Sequence, residues 1–221
     1  MSRKEVTARD VMLFAPNLVS YARIIVTFTA FYFIKTNYII AFFCLILSIF
    51  LDEVDGRVAR FLNQCTRFGE AVDMISDRVI SACVYVALVN FYPEYTTWFQ
   101  MNLAIDVAGH WMHFHVSHIG ENSHKNIDIK GNFLLRLYYT SPLIFFVLSI
   151  GHEVVFALLY LLHFTHGAMI DVAGFNIGLI DILFYIGIPI IFTKSILNLV
   201  HLSDASQRLA AIDAKERSKI E

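Results

Sequence analysis

Four aspartates, Asp52, Asp55, Asp73 and Asp77, stand at spacings that bring them together once the chain folds back on itself. Residues 51–78 read LDEVDGRVARFLNQCTRFGEAVDMISDR, that is, Asp52-x2-Asp55-Gly56-x2-Ala59-Arg60, eight residues, then Gly69-x3-Asp73-x3-Asp77. Offsets of three and four place Asp52, Asp55 and Ala59 on one face of a helix, and Gly69, Asp73 and Asp77 on one face of the next. A turn at residues 63–66 joins the two helices. Folding back near Gln64 then matches Asp55 with Asp73 and Asp52 with Asp77 in height, because each helical residue rises about 1.5 Å. Four converging carboxylates repel one another, and hard divalent cations such as Mg²⁺ or Mn²⁺, which prefer oxygen ligands, are their natural compensation. Gly56, Ala59 and Gly69 keep the helix faces clear for a ligand, and Arg60 and Arg67 are placed to pair with phosphates. Carboxylates, metals, arginines and a cleared face point to pyrophosphate chemistry. Solvated loop aspartates pairing with Arg57, Arg60 and Arg78 would explain any one of these acids, but not four in this register.

The elements that must carry them are apolar. The chain has 221 residues, of which 57% are hydrophobic and 16% charged, with a mean hydropathy of +0.60. Soluble domains carry roughly 25% charged residues, so the composition reads as an integral membrane protein. At about 20 apolar residues per crossing, the length suits six helices and no separate soluble domain. Spans are expected at 18–34, 38–50, 71–91, 98–116, 142–164 and 177–200. The second is short, so its helix should run on into the charged segment 52–63. An intramembrane carboxylate costs roughly 2.5–3.5 kcal/mol on insertion scales, which makes the acid cluster a functional feature of the membrane interface. Basic residues segregate. Arg3, Lys4 and Arg9, then Arg57, Arg60 and Arg67, then Lys125, Lys130 and Arg136, and finally Arg208, Lys215, Arg217 and Lys219 fall on one side of this arrangement. The connections 92–97 and 165–176 hold no lysine or arginine. Both termini, the segment 1–16 and the tail 203–221, are therefore expected in the cytoplasm. The first residues do not read as a cleavable signal peptide. Cys44, Cys65 and Cys83 have neither metal-ligand nor disulfide spacing. The net charge of −2 gives no reason to expect nucleic acid.

The spacing Asp-x2-DGxxAR-x8-GxxxDxxxD resembles, at every position, the signature of the CDP-alcohol phosphotransferases. The resemblance implies an all-α membrane fold of six transmembrane helices in a single domain over 1–221, usually as a homodimer, with two bound metal ions. It implies that Asp52, Asp55, Asp73 and Asp77 hold the metals and that Asp77 accepts the proton of the attacking alcohol. Gly56, Arg60 and Thr66 match positions that contact the CDP-lipid, CDP-diacylglycerol. The stretches PNLVSYARI, RFLNQCTRFGEAVDMISDR, DVAGHWMHFH, SHKNIDIKGN and LRLYYTS are similar to the branch of the family whose acceptor is myo-inositol and which resides in the endoplasmic reticulum.

Other residues are less specific. His110, His113, His115 and His118 suggest a metal cluster, but His115 leaves the face of the other two and no carboxylate pattern completes a zinc site. Asp106 is an intramembrane acid suited to binding inositol or to a bond between helices. His124, Lys125 and Arg136 suit inositol, phosphate or a plain interfacial anchor. Asn17 and Arg23 resemble a first-helix element of the family near the nucleotide, although Arg23 would equally snorkel to the surface. The tail from Asp204 suits a short surface helix or a disordered end. The shared signature does not separate an inositol enzyme from a phosphatidylglycerophosphate or cardiolipin synthase of the same family. A divalent-cation transporter would need polar residues continuing across the membrane, and a scaffold gives no reason for four aligned acids.

Overall fold

The computed structural model describes residues 6–120, 133–172 and 175–219, so His124, Lys125 and Lys130 lie outside the described residues. Its elements are α1 (Ala8–Met12), α2 (Ala15–Phe33), α3 (Tyr38–Phe61), α4 (Arg67–Phe91), a 3-10 turn at Pro93–Tyr95, α5 (Thr96–Gly120), α6 (Phe133–Thr140), α7 (Pro142–Leu162), β1 (Met169–Val172), β2 (Phe175–Gly178) and α8 (Leu179–Arg217). By length and composition, α7 and α8 are apolar enough to cross a membrane. The expectation of an all-α chain needs one correction. β1 and β2 pair antiparallel, Met169 opposite Gly178 and Val172 opposite Phe175, inside the connection read as a loop. Gly178 is required there, because a Cβ would run into the His166 carbonyl oxygen.

The chain divides into two compact units, Met1–Phe91 with Phe156–Ile182, and Tyr92–Val155 with Leu183–Glu221. In the first unit, α2 packs on α3 through small residues. Ala30 and Ala41 are fully buried, which lets the backbones approach, and the Thr27 and Ser48 hydroxyls bond to each other at 2.8 Å. At the far end from the acids, the Tyr160 hydroxyl donates to the Ile34 carbonyl at 2.8 Å. The Phe164 ring there stacks on Tyr38 with centroids 5.1 Å apart. At the near end, Asn63 adopts φ 53 and the Gln64 amide donates to the Ala59 carbonyl. This left-handed residue stops α3. The Thr66 hydroxyl then accepts from the Gly69 amide at 3.0 Å, capping α4. The Gln64 side chain accepts from the Ala15 amide, tying the start of α2 to the same turn.

The second unit is held by a buried polar ribbon as well as by Tyr138, Leu148 and Leu197. The Asn198 amide donates to the Asp106 carboxylate at 2.9 Å, and the Ser195 hydroxyl donates to the Asn102 side-chain oxygen at 2.5 Å. The Lys194 ammonium donates to the Tyr138 hydroxyl at 3.1 Å. α8 continues past the expected end of its apolar span as far as Arg217, so the stretch beginning at Asp204 is helical. Its Ala, Leu, Arg, Lys and Glu content suits a helix that no longer needs an apolar face.

Candidate active site

The α3–α4 hairpin folds as the spacing predicts. α3 runs unbroken through the charged stretch to Phe61, which sets Asp52 and Asp55 on its last turns, and α4 carries Asp73 and Asp77. Asp52, Asp55 and Asp73 each present a carboxylate oxygen, and these three atoms lie within 4.8 Å of one another. Among the described residues no other set of three His, Cys, Asp or Glu side chains converges in this way. A cluster of hard anionic oxygens at this separation fits a Mg²⁺ or Mn²⁺ centre.

Asp77 is placed differently. One of its oxygens meets the Arg23 guanidinium at 2.5 Å, and the other lies 3.5 Å from Arg78. Arg23 is 1% exposed. It also pairs closely with Asp52 and lies 3.5 Å from Asp73. It does not snorkel. One buried guanidinium therefore ties α2 to three of the four acids, and charge-assisted fork geometry of this kind holds carboxylates in place. The fourth, Asp55, is 5% exposed and accepts from the Ser20 hydroxyl at 2.8 Å. Arg23 and Ser20 are the residues that hairpin geometry alone leaves out. Their signal was the segment PNLVSYARI, whose Asn17, Ser20 and Arg23 recur at intervals of three and so share a helix face.

Beside the acids lies a cleft of about 430 Å³ lined by Gly56, Arg60, Thr66 and Arg67 together with Asn17 and Asp73. A Cβ on Gly56 would meet only the Arg60 guanidinium at 3.5 Å, so its open face is available to a ligand. Gly69 lines the same cleft and has a further purpose. A Cβ there would come within 2.9 Å of the Asn17 side-chain oxygen, so this glycine lets α2 seat against α4. Asn17 is in turn fixed by donating to the Val11 carbonyl at 2.6 Å. Asp106 bonds across to Asn198 as described above. His110 and His113 lie against the His201 ring, with centroids 6.4 Å and 5.8 Å apart. The His118 ring nitrogen bonds to the Phe114 carbonyl within its own helix. Arg136 is exposed on α6.

Breaking a buried ion pair from one side costs on the order of a few kcal/mol, because the partner's charge is left uncompensated. Arg23→Gln is accordingly expected to lower the melting temperature of the purified protein in EDTA by several degrees, and Mn²⁺ should recover part of that loss. Melting of the variant together with wild type in EDTA would show that the guanidinium contributes no net stability.

These features define a class. The sequence model of the CDP-alcohol phosphatidyltransferase family matches residues 13–166, and the chain belongs to that family. Its similarity to particular relatives extends further along the chain. It is 42% identical over 212 residues to the human CDP-diacylglycerol–inositol 3-phosphatidyltransferase, covering 95% of this chain and 97% of that one. The enzyme of the same name from Drosophila melanogaster is 41% identical over 211 residues, covering 95% and 91%. That from Saccharomyces cerevisiae is 33% identical over 218 residues, covering 98% and 94%.

Proposed function

We propose that this membrane enzyme transfers the phosphatidyl group of CDP-diacylglycerol to myo-inositol, giving phosphatidylinositol and CMP, with Asp52, Asp55, Asp73 and Asp77 as its working carboxylates. The observation that carries this reading is the convergence of the Asp52, Asp55 and Asp73 oxygens within 4.8 Å, in a chain of this family. Those three, with Asp77, would hold the divalent ions. When bound, Mg²⁺ or Mn²⁺ supplies neutralisation of the diphosphate and polarisation of the phosphorus under attack.

The chain's own residues do the rest. Arg60 and Arg67 receive the diphosphate in the cleft, Gly56 leaves room for it, and Thr66 sits at the capped start of α4 where an anion is favoured. Asp77 accepts the proton of the inositol hydroxyl as its oxygen bonds to phosphorus and the bond from phosphorus to the CMP oxygen breaks. A carboxylate is a weak base toward an alcohol, so it acts only as that hydroxyl becomes acidic in the transition state. Arg23 keeps Asp77 aimed while this happens.

The chain is a single membrane domain with six crossings, working as a homodimer in the endoplasmic reticulum membrane, with both termini and the active site cytoplasmic. Orientation has a native reporter, since Cys65 is exposed in the α3–α4 turn while Cys44 and Cys83 are partly buried. A membrane-impermeant maleimide should label Cys65 in sealed microsomes whose cytoplasmic face is outward. Labelling only after detergent would reverse the topology. The reaction is tested with purified protein, CDP-diacylglycerol, Mn²⁺ or Mg²⁺, and a panel of alcohols scored for CMP release. Phosphatidylinositol should form, and formation of phosphatidylglycerophosphate in its place would assign the chain to another branch of the family.

A further inference from the structure

A second cavity, of about 300 Å³, runs along α2 and α4 and is lined by Tyr21, Ile24 and Phe28 on one helix and Val72, Ser76 and Ile80 on the other, ending at Phe31 and Cys83. Three of its lining residues carry hydroxyls, yet none offers its hydroxyl to the groove: the Tyr21 hydroxyl donates to the Met12 carbonyl at 3.3 Å. Thr27 bonds to Ser48 on α3, and Ser76 donates to the Asp73 carbonyl at 2.9 Å. The groove therefore presents methyl, methylene and ring carbon along about 15 Å of helix, the ten-residue rise from Tyr21 to Phe31. Its rim is open, with Phe28, Ile75 and Val79 all roughly half exposed or more. Its upper end reaches the acid cluster. Val72 and Ser76 bracket Asp73 on α4, and Tyr21 follows Ser20, which bonds Asp55, on α2.

We propose that this groove is an acyl-chain subsite, which seats one fatty-acyl tail of the CDP-lipid while its diphosphate lies at the carboxylates. The inference rests on the reaction proposed above, which puts a head group at Asp73 with hydrocarbon attached to it. Small and β-branched side chains at Ser76, Thr27 and Val72 leave the space between the helices unfilled, and the packing of Asn17 on Gly69 fixes how closely α2 approaches α4 at the upper end. A hydrocarbon tail anchored at the acids gains burial by lying in the groove, and each methylene that leaves it loses that gain.

The test uses the full-length enzyme in mixed micelles, with CDP-dioleoylglycerol and a short-chain CDP-dihexanoylglycerol compared. Ile80→Trp fills the groove, and Val86→Trp, at an exposed position of α4 outside it, is the control. Ile80→Trp should raise KM for the dioleoyl substrate by about tenfold or more, with KM for inositol and turnover of the short-chain substrate near wild type. Equal losses on both chain lengths, or none, would overturn the subsite. A wild-type measurement independent of variant folding uses CDP-diacylglycerol with a photoreactive group at the end of one acyl chain. Labelling should fall within 21–31 and 72–83 and be displaced by CDP-dioleoylglycerol but not by phosphatidylcholine. Displacement by both would mark ordinary boundary lipid and sink the proposal. Absence of phosphatidyl transfer to inositol by wild type would instead remove the proposed reaction, leaving the labelling comparison to judge the groove on its own.

Discussion

Asp77→Asn is expected to fold, to bind CDP-diacylglycerol, and to turn over ~10²–10⁴-fold more slowly at saturating inositol, the usual contribution of a positioned general base. Asparagine keeps the shape and one oxygen but loses the charge and nearly all of the basicity. The structure sharpens the expectation, because Asp77 shares Arg23 with Asp52 and Asp73 yet lies outside the set of three oxygens that converge within 4.8 Å. A base separated in this way should show its loss in kcat, with lipid affinity largely kept. Equal collapse of CDP-lipid binding in Asp77→Asn and Asp55→Asn would make Asp77 chiefly a metal ligand. Near-normal turnover would end its catalytic assignment.

Asp55→Ala and Asp73→Ala should each abolish measurable transfer, since each removes a hard oxygen from the proposed metal centre. Asp55 is the more telling of the two. It is buried, and its replacement leaves the Ser20 hydroxyl with only its longer bond to the Pro16 carbonyl at 3.2 Å. Manganese binding, followed by the spectrum of the free ion, should weaken in step with activity. Asp106→Asn is the comparison. Asp106 bonds Asn198 within the other compact unit, and its change should cost much less. Turnover persisting in either aspartate variant, or in wild type with excess EDTA, would dispose of the metal mechanism.

The hairpin that carries the acids was legible because everything it needs is local. Three- and four-residue offsets set the faces, and the turn chemistry at Asn63 and Thr66 sets the register. Arg23 was not legible to the same degree. It lies 50 residues from Asp73 and 54 from Asp77, and a guanidinium near a helix end reads equally as a snorkelling side chain until packing is known. Gly69 lines the cleft as its spacing suggests, but its missing Cβ is also used by Asn17, a contact that only tertiary structure reveals. The hairpin β1–β2 was missed because strands of four residues are too short for alternation to register against the surrounding apolar helices. The length of α8 was underread for the opposite reason. Hydropathy marks where an apolar stretch stops, and helical propensity continues beyond it.

The order in which α2, α3 and α4 leave the ribosome gives the buried Arg23 a bearing on biogenesis. α2 emerges first, carrying a guanidinium whose anionic partners have not yet been made, and α3 and α4 follow with acids that no ion has yet reached. On the proposed reading, in which these helices cross the membrane, each uncompensated charge makes its segment costlier to pass into lipid, by up to roughly 2.5–3.5 kcal/mol at a helix centre. Paired as Arg23 is with Asp52, Asp73 and Asp77, the segments offset one another's cost. On the proposed six-crossing reading the translocon has reason to release α2 through α4 together, so that the Arg23–acid contacts form while residues 92–221 are still being synthesised and residues 156–182 complete that unit afterwards.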